Sequence, residues 1–255
     1  MAGRGTGQVG AMTRACQAIV ALALALLAPG YAAASACTPD PVASIPSALL
    51  TEGFLQAHPD LYWRDLGQLS WRRGKPAQAR LRFQRASLYA DKFSQSLVAR
   101  MYQEGIGIDA DPVLAYIWMD LAAERGYRDL LVERERYWQR LDAGQRQRVL
   151  AEGPALYAQY GDAVAKPRME TALRTARNAM TGSRTGFVNP GLRMALGEGP
   201  EANRPVTGDD YYRDAFWEPA AYWCLQEQIW QNTRLRPSIE IGAPRQIRDG
   251  GPGGD

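Results

Sequence analysis

Residues 97–126, LVARMYQEGIGIDADPVLAYIWMDLAAERG, predict two antiparallel helices joined by a tight turn. In the second half the apolar residues recur at helical spacing and share one face: Leu114, Ile117, Trp118, Leu121 and Ala122. Asp111 can accept hydrogen bonds from the first-turn amides of this helix, and Pro112 suits its first position. Gly105 and Gly107 permit the positive φ angles that the turn needs. The stretch therefore predicts an α-helical hairpin.

The same stretch resembles the Sel-one-like repeat (SLR), a helical-hairpin relative of the tetratricopeptide repeat. The positions that match this family at the right spacing are Tyr102, Gly105, Gly107, Ile108, Asp111, Ala115, Trp118, Ala122, Ala123 and Gly126. Each position has a mechanical role, since the glycines turn the chain, Asp111 caps a helix, and Ala115 and Ala122 allow close helix approach. The resemblance implies an all-α fold, a short α/α solenoid with extra C-terminal helices, and a function in binding other proteins.

A degenerate copy of the pattern precedes this hairpin. Its aromatic, turn and small or apolar positions are Trp71, Gly74, Ala79, Phe83, Ala86 and Ser87. The spacing from Ala79 to Ala86 equals that from Ala115 to Ala122, but the first turn is shorter and lacks the capping aspartate. Repeats of this kind are stabilised by stacked neighbours, so other helices must cover the ends.

We predict a helical repeat domain over residues 57–181. Its last part, residues 128–181, departs from the repeat pattern and is predicted to form helices that pack on the open end. Asp142 and Gln145 have the form of a capping box that opens one of these helices. Pro167 is predicted to begin the last one.

The segments around this domain have a different composition. Residues 37–56 are predicted to be an N-terminal linker. Residues 182–210 are rich in glycine and proline and predict a long loop. Residues 211–241 predict an aromatic C-terminal capping segment in which a helix starts at Pro219, and residues 242–255 a disordered tail.

The amino terminus, residues 1–36, has the composition of a secretory signal peptide. It contains no acidic residue, a short apolar run over residues 18–28, and small residues directly before Cys37. The apolar run is too short to span a membrane permanently. We therefore expect a bacterial periplasmic or secreted protein. In the alternative, Cys37 is the acylated cysteine of a lipoprotein, and only then would the chain be held at a membrane.

Two cysteines, Cys37 and Cys224, remain in the predicted mature chain. An exposed free thiol is unfavourable in an exported protein, so we predict a Cys37–Cys224 disulfide. Acylation of Cys37 would exclude this bond.

The composition excludes several classes of function. One histidine, His58, and three cysteines cannot form a zinc site of the usual ligand number and spacing, and His58 is expected in a capping or surface role. The net charge of +3, with arginines spread over most helices, is not that of a dedicated nucleic-acid binder. We predict no metal, no cofactor and no catalytic residue. The remaining catalytic alternative is a carboxylate pair formed by Glu104 and Asp109.

The aromatic C-terminal segment is the best candidate for partner binding. Its large rings are Trp217, Tyr222, Trp223 and Trp230. One interpretation is that they cap the solenoid, and the other is that some stay exposed to bind a partner protein or glycan rings. The expected function is that of a non-enzymatic exported adaptor that binds another protein. The alternative is a peptidoglycan-binding or peptidoglycan-active protein that uses these aromatic residues.

Overall fold

The chain folds into helices that follow one another with short connections. The computed structural model describes residue 37 and residues 44–181, 193–194 and 206–232. The helices are α1 (Glu52–Ala57), α2 (Pro59–Arg72), α3 (Pro76–Ser87), α4 (Lys92–Glu104), α5 (Pro112–Ala123), α6 (Arg128–Gln139), α7 (Ala143–Tyr160), α8 (Asp162–Thr181), α9 (Gly208–Tyr211), α10 (Asp214–Trp217) and α11 (Pro219–Gln231). The two-residue strands β1 (Arg193–Met194) and β2 (Val206–Thr207) pair antiparallel. The predicted all-α class is confirmed.

The helices pack as successive hairpins, in agreement with a helical-repeat fold. Helix α2 packs on α3, and α4 packs on α5. Helix α3 also contacts α4, and α5 contacts both α6 and α7, so that neighbouring hairpins share one hydrophobic core. Helix α8 contacts α1, α2, α7, α10 and α11 and so joins the two ends of this array. None of the described helices combines the length and the apolar character needed to cross a membrane.

The turn between α4 and α5 has the geometry that its residues predict. The Asp111 carboxylate accepts hydrogen bonds from the backbone N–H groups of Val113 and Leu114, at 2.9 and 3.2 Å. Gly105 ends α4 with a φ of 67°, and Gly107 follows with a φ of 71°. A Cβ atom on Gly107 would lie 2.5 Å from the backbone nitrogen of Ala77, at the start of α3. Gly107 therefore brings the turn of one hairpin against the backbone of the preceding hairpin.

The other repeat positions are structural. In the second hairpin the buried ones are Tyr102, Ala115, Trp118, Ala122 and Ala123. In the degenerate copy Ala79, Phe83, Ala86 and Ser87 are buried. Gly74 and Gly126 both adopt positive φ angles where a helix ends, as the pattern requires.

Two predicted boundaries need correction. The predicted linker, residues 37–56, contains a 3-10 turn at Ser47–Leu49 and helix α1, since the Thr51 hydroxyl caps α1 and Phe54 is fully buried in the core. The last repeat-domain helix, α8, begins at Asp162 rather than at Pro167. The first residue of α8, Asp162, forms ion pairs with Lys92 and Arg125, and these pairs fix the start of the helix.

The remaining predictions about the chain ends fall partly outside the described residues. The signal peptide over residues 1–36 and the tail over 242–255 lie wholly outside them. Within the predicted loop, residues 182–210, the described part comprises β1, β2 and the start of α9. The predicted helix start at Pro219 is confirmed by α11, and α9 and α10 precede it in the capping segment.

Candidate functional site

An open groove of about 510 Å³ lies between α4 and α6. Its lining residues are Arg100, Gln103 and Glu104 in the last part of α4, Glu133 and Tyr137 on α6, and Arg140 directly after α6. Among the described residues, the side chains of Arg100, Glu104 and Arg140 form no hydrogen bond or ion pair. The groove therefore presents both signs of charge without internal partners.

Tyr137 forms the floor of this groove. The residue is buried, with 5% of its surface exposed. Burial raises the pKa of its phenol to about 12, so the hydroxyl stays protonated near neutral pH. Glu133, on the same side of the groove, is already paired with Arg136. The combination of a phenol, two free guanidinium groups and a free carboxylate fits a charged peptide better than an apolar ligand.

The carboxylates of the turn lie in exposed or helix-capping positions. Glu104 and Asp109 are both exposed, at the end of α4 and in the turn. Asp111 accepts two backbone hydrogen bonds as a helix cap and also pairs with Arg148, at 3.1 Å. Within the described part of the chain, no cluster of His, Cys, Asp and Glu side chains has the geometry to hold a metal ion.

The aromatic candidates of the C-terminal segment lie mostly inside the protein. Trp217 and Tyr222 are fully buried, and Trp230 is 9% exposed. The Trp217 indole N–H donates to the carbonyl oxygen of Tyr211, at 2.6 Å, and its ring packs edge-on against Phe54. Trp217 thus closes the core at α1, as the capping interpretation predicts. The chain itself covers three of the four rings. Little aromatic surface of this segment is therefore exposed on which a glycan ring could stack.

Helix α11 lies on a surface that we call the α11 seat, defined by Asp60, Arg125, Tyr127, Lys166 and Glu170. The Tyr222 hydroxyl donates to Asp60, and the Tyr127 hydroxyl donates to Glu227 of α11, at 2.7 Å. The Trp223 ring contacts the cations of Arg125 and Lys166, and its N–H donates to Glu170, at 3.1 Å. Trp230 stacks on Tyr127 with ring centroids 4.6 Å apart.

His58 has a structural role that the sequence does not reveal. The expected surface position is wrong, because the side chain is fully buried, whereas the expected capping role is confirmed at the end of α1, where His58 is the C-cap residue and its ring bonds to the Phe54 carbonyl oxygen. Its two ring nitrogens each lie 2.8 Å from a backbone carbonyl oxygen, one of Phe54 and the other of Phe216. Burial lowers the pKa of His58, while these two hydrogen bonds act in the opposite direction. The imidazole joins α1 to α10 and is not open to a substrate.

Lys92 is a second residue whose role was not predicted. Its ammonium group is buried and pairs with Glu124 and Asp162, both at 2.9 Å, and donates to the Leu121 carbonyl oxygen. Burial lowers its pKa, and the two carboxylates compensate in part. Arg125 also pairs with Asp162, at 2.7 Å, so this network ties the starts of α4 and α8 to the end of α5.

Asp60 gives the stability of the protein a testable pH dependence. Burial raises the pKa of this carboxyl from 3.8 to about 6, so the folded protein favours its protonated form. Its contribution to stability is full below about pH 3.8 and is lost as the pH rises through about 6. Asparagine cannot ionise. We therefore expect the stability of Asp60→Asn relative to the natural protein to increase by about 2 kcal/mol from about pH 4 to about pH 8.

Urea unfolding of both proteins across this pH range measures the difference. Both proteins retain His58, so its own titration largely cancels in the comparison. A stability difference that stays constant with pH would mean that Asp60 does not titrate with a raised pKa.

Cys37 and Cys224 are both disulfide-bonded, which confirms the predicted cysteine pair. Cys224 lies on α11, the helix that covers the α11 seat.

The hairpins and the open groove define an all-α helical-repeat protein. Comparisons with protein-family models, with curated proteins and with solved structures find no match for this chain. The resemblance to the Sel-one-like repeat therefore rests on the residues between Tyr102 and Gly126 and on the degenerate copy before them.

Proposed function

We propose that this chain is a non-enzymatic adaptor that binds a segment of another protein in the groove between α4 and α6. The observation that supports this function is the set of charged side chains around Tyr137 that make no ion pair within the described part of the chain, namely Arg100, Glu104 and Arg140. Charged groups at the rim of an interface steer association and fix the register of the partner more than they add affinity. The resemblance to Sel-one-like repeats, which are commonly adaptors, points to the same function.

A different face of α6 from the one that lines the groove carries an apolar strip, which offers a partner a second, hydrophobic contact. Leu131 and Val132 lie on a shallow surface with the stems of Arg128 and Arg136, and Val132 is 44% exposed. Protein interfaces combine such an apolar centre with a polar rim. A partner that crosses α6 would contact both surfaces.

The proposal includes export to the periplasm or beyond the cell. Residues 1–36 have the composition of a signal peptide, and a disulfide suits an oxidising compartment. A disulfide-bonded Cys37 has no thiol that could carry a lipid, which favours the periplasmic or secreted form over the lipid-anchored one.

Site-specific photo-crosslinking in the native cell envelope tests the proposed function. A photoreactive amino acid at Gln103, inside the groove, is expected to form a covalent adduct with a specific partner protein. The matched control is Leu150 on α7, which is 73% exposed and is not among the groove residues. Adducts of equal yield at both positions, or at neither, would contradict binding in the groove.

A further inference from the structure

The second half of α2, the turn after it and α3 carry an excess of positive charge. Residues 66–90 contain six basic residues and no acidic one, whereas the rest of the chain has 24 basic and 27 acidic residues. We call these six residues the basic face: Arg72, Arg73, Lys75, Arg80, Arg82 and Arg85. Among the described residues, none of the six forms an ion pair with a carboxylate. A surface with this charge attracts anionic partners.

The three guanidinium groups on α3 are held in place by uncharged partners. Arg85 lies over the Trp63 ring, 4.6 Å from its centroid, and Arg80 lies 5.9 Å from the centroid of the Tyr102 ring. Arg82 donates from Nη1 to a backbone carbonyl oxygen of α2, at 2.9 Å. These contacts order the side chains without neutralising them. Their remaining N–H groups can therefore pair with carboxylates of another molecule at a reduced entropic cost.

Leu81 adds an apolar residue to the basic face. Its side chain is 54% exposed, and it lies between Arg80 and Arg82 and one helical turn before Arg85. Protein interfaces combine apolar residues of this kind with arginine, which is enriched in them. The exposed side of α3 thus offers one apolar contact within a ring of cations.

We propose that the basic face binds an acidic segment of another protein, with carboxylates on the guanidinium groups of α3 and an apolar side chain against Leu81. The basic face shares no residue with the groove between α4 and α6, so this inference goes beyond the proposed function. Charge complementarity to the six cations determines the acidic character of the segment.

Two other anionic partners fit the basic face less well. Binding in a membrane interface needs an apolar helix face, and Leu81 is the only exposed large hydrophobic residue within residues 66–90. Single-stranded nucleic acid stacks its bases on aromatic rings. The rings beside the basic face, Trp63 and Tyr102, are already in contact with Arg85 and Arg80.

Fluorescence anisotropy with labelled peptides tests the proposal on the full, disulfide-bonded chain. One probe has eight glutamates, and the other has leucine at its two central positions. We expect both to bind the natural chain. Arg72→Gln, Arg73→Gln and Arg85→Gln together should weaken binding about 10-fold, because three exposed ion pairs are lost.

A second triple variant is the matched control for net charge. It combines Arg136→Gln, Arg148→Gln and Arg174→Gln, which replace exposed arginines that already pair with carboxylates. We expect this variant to change peptide binding by less than about 2-fold. Equal losses in the two triple variants would mean that the probes respond only to net charge, and this result would overturn the proposal.

Leu81→Gln tests the apolar part of the proposal. It should remove the tighter binding of the leucine-containing probe over the eight-glutamate probe. No binding of either probe, or no effect of Leu81→Gln, would overturn the proposal. Tighter binding to phosphatidylglycerol vesicles, or to single-stranded DNA of equal charge at the same ionic strength, would also overturn it. Crosslinking at Gln103 reports on the other surface, so failure of this proposal can be distinguished from failure of the proposed function.

Discussion

Trp217→Ala is expected to lower the free energy of unfolding by about 3–5 kcal/mol, the usual loss for a large aromatic residue removed from a core. Trp217 is fully buried, and its ring contacts Phe54, His58 and Tyr211. The substitution leaves a cavity between α1 and α10 and removes the donor for the Tyr211 carbonyl oxygen. Chemical unfolding followed by far-ultraviolet circular dichroism measures the loss.

Leu150→Ala is the matched control for this substitution. Leu150 is 73% exposed on α7, so its truncation is expected to change stability by less than about 0.5 kcal/mol. A loss below about 1 kcal/mol for Trp217→Ala would show that the C-terminal segment does not close the core.

Gly107→Ala is expected to have the second largest effect, and it tests how the hairpins stack. The new Cβ would meet two backbone atoms of α3, at 2.5 Å from the Ala77 nitrogen and 2.6 Å from the Pro76 carbonyl carbon. Backbone cannot rotate away as a flexible side chain would, so the two hairpins must separate. The left-handed φ of 71° adds its own strain for alanine. We expect a total loss of about 3–5 kcal/mol.

Gly126→Ala separates these two causes. Gly126 has a φ of 77°, and a Cβ there would meet nothing within 4 Å. We therefore expect this control to lose only the backbone strain, about 1–2 kcal/mol. Thermal or urea unfolding of the two variants gives the comparison, and equal losses would mean that the turn of the second hairpin does not contact α3.

The hairpin of α4 and α5 could be predicted from the sequence because its signals are local. Asp111 caps the helix that starts at the next residue, and Gly105 and Gly107 supply positive φ angles within the same turn. The capping box of Asp142 and Gln145 is local in the same sense and is present in the structure. Where a residue and its hydrogen-bond partner are close along the chain, their spacing in the sequence is enough to predict the contact.

The features that could not be predicted depend on partners far away in the sequence. His58 is held by a carbonyl oxygen 158 residues later, and no local pattern marks that contact. Helix α1 lies in the predicted linker, and the contacts that bury Phe54 come from Phe216 and Trp217, more than 160 residues away along the chain. The sequence alone does not show which distant rings will meet.

The groove between α4 and α6 could not be predicted from the sequence for a related reason. Of its lining residues, only Glu104 is a candidate functional residue on sequence grounds, as part of the catalytic alternative. Arg100 and Arg140 belong to no motif, and they face one groove only because both α4 and α6 pack against α5. Which charged side chains line the groove depends on how the helices pack. The repeat pattern predicts the hairpins but not the side chains that face each other between them.

The yield of the partner adduct at Gln103 after charge reversal tests the central claim most directly. Arg100→Glu combined with Arg140→Glu reverses two exposed cations that line the groove and leaves the buried core untouched. If the groove binds the partner through these charges, the adduct should disappear in the double variant while the circular dichroism spectrum stays that of the natural protein. An undiminished adduct from the folded double variant would contradict the claim.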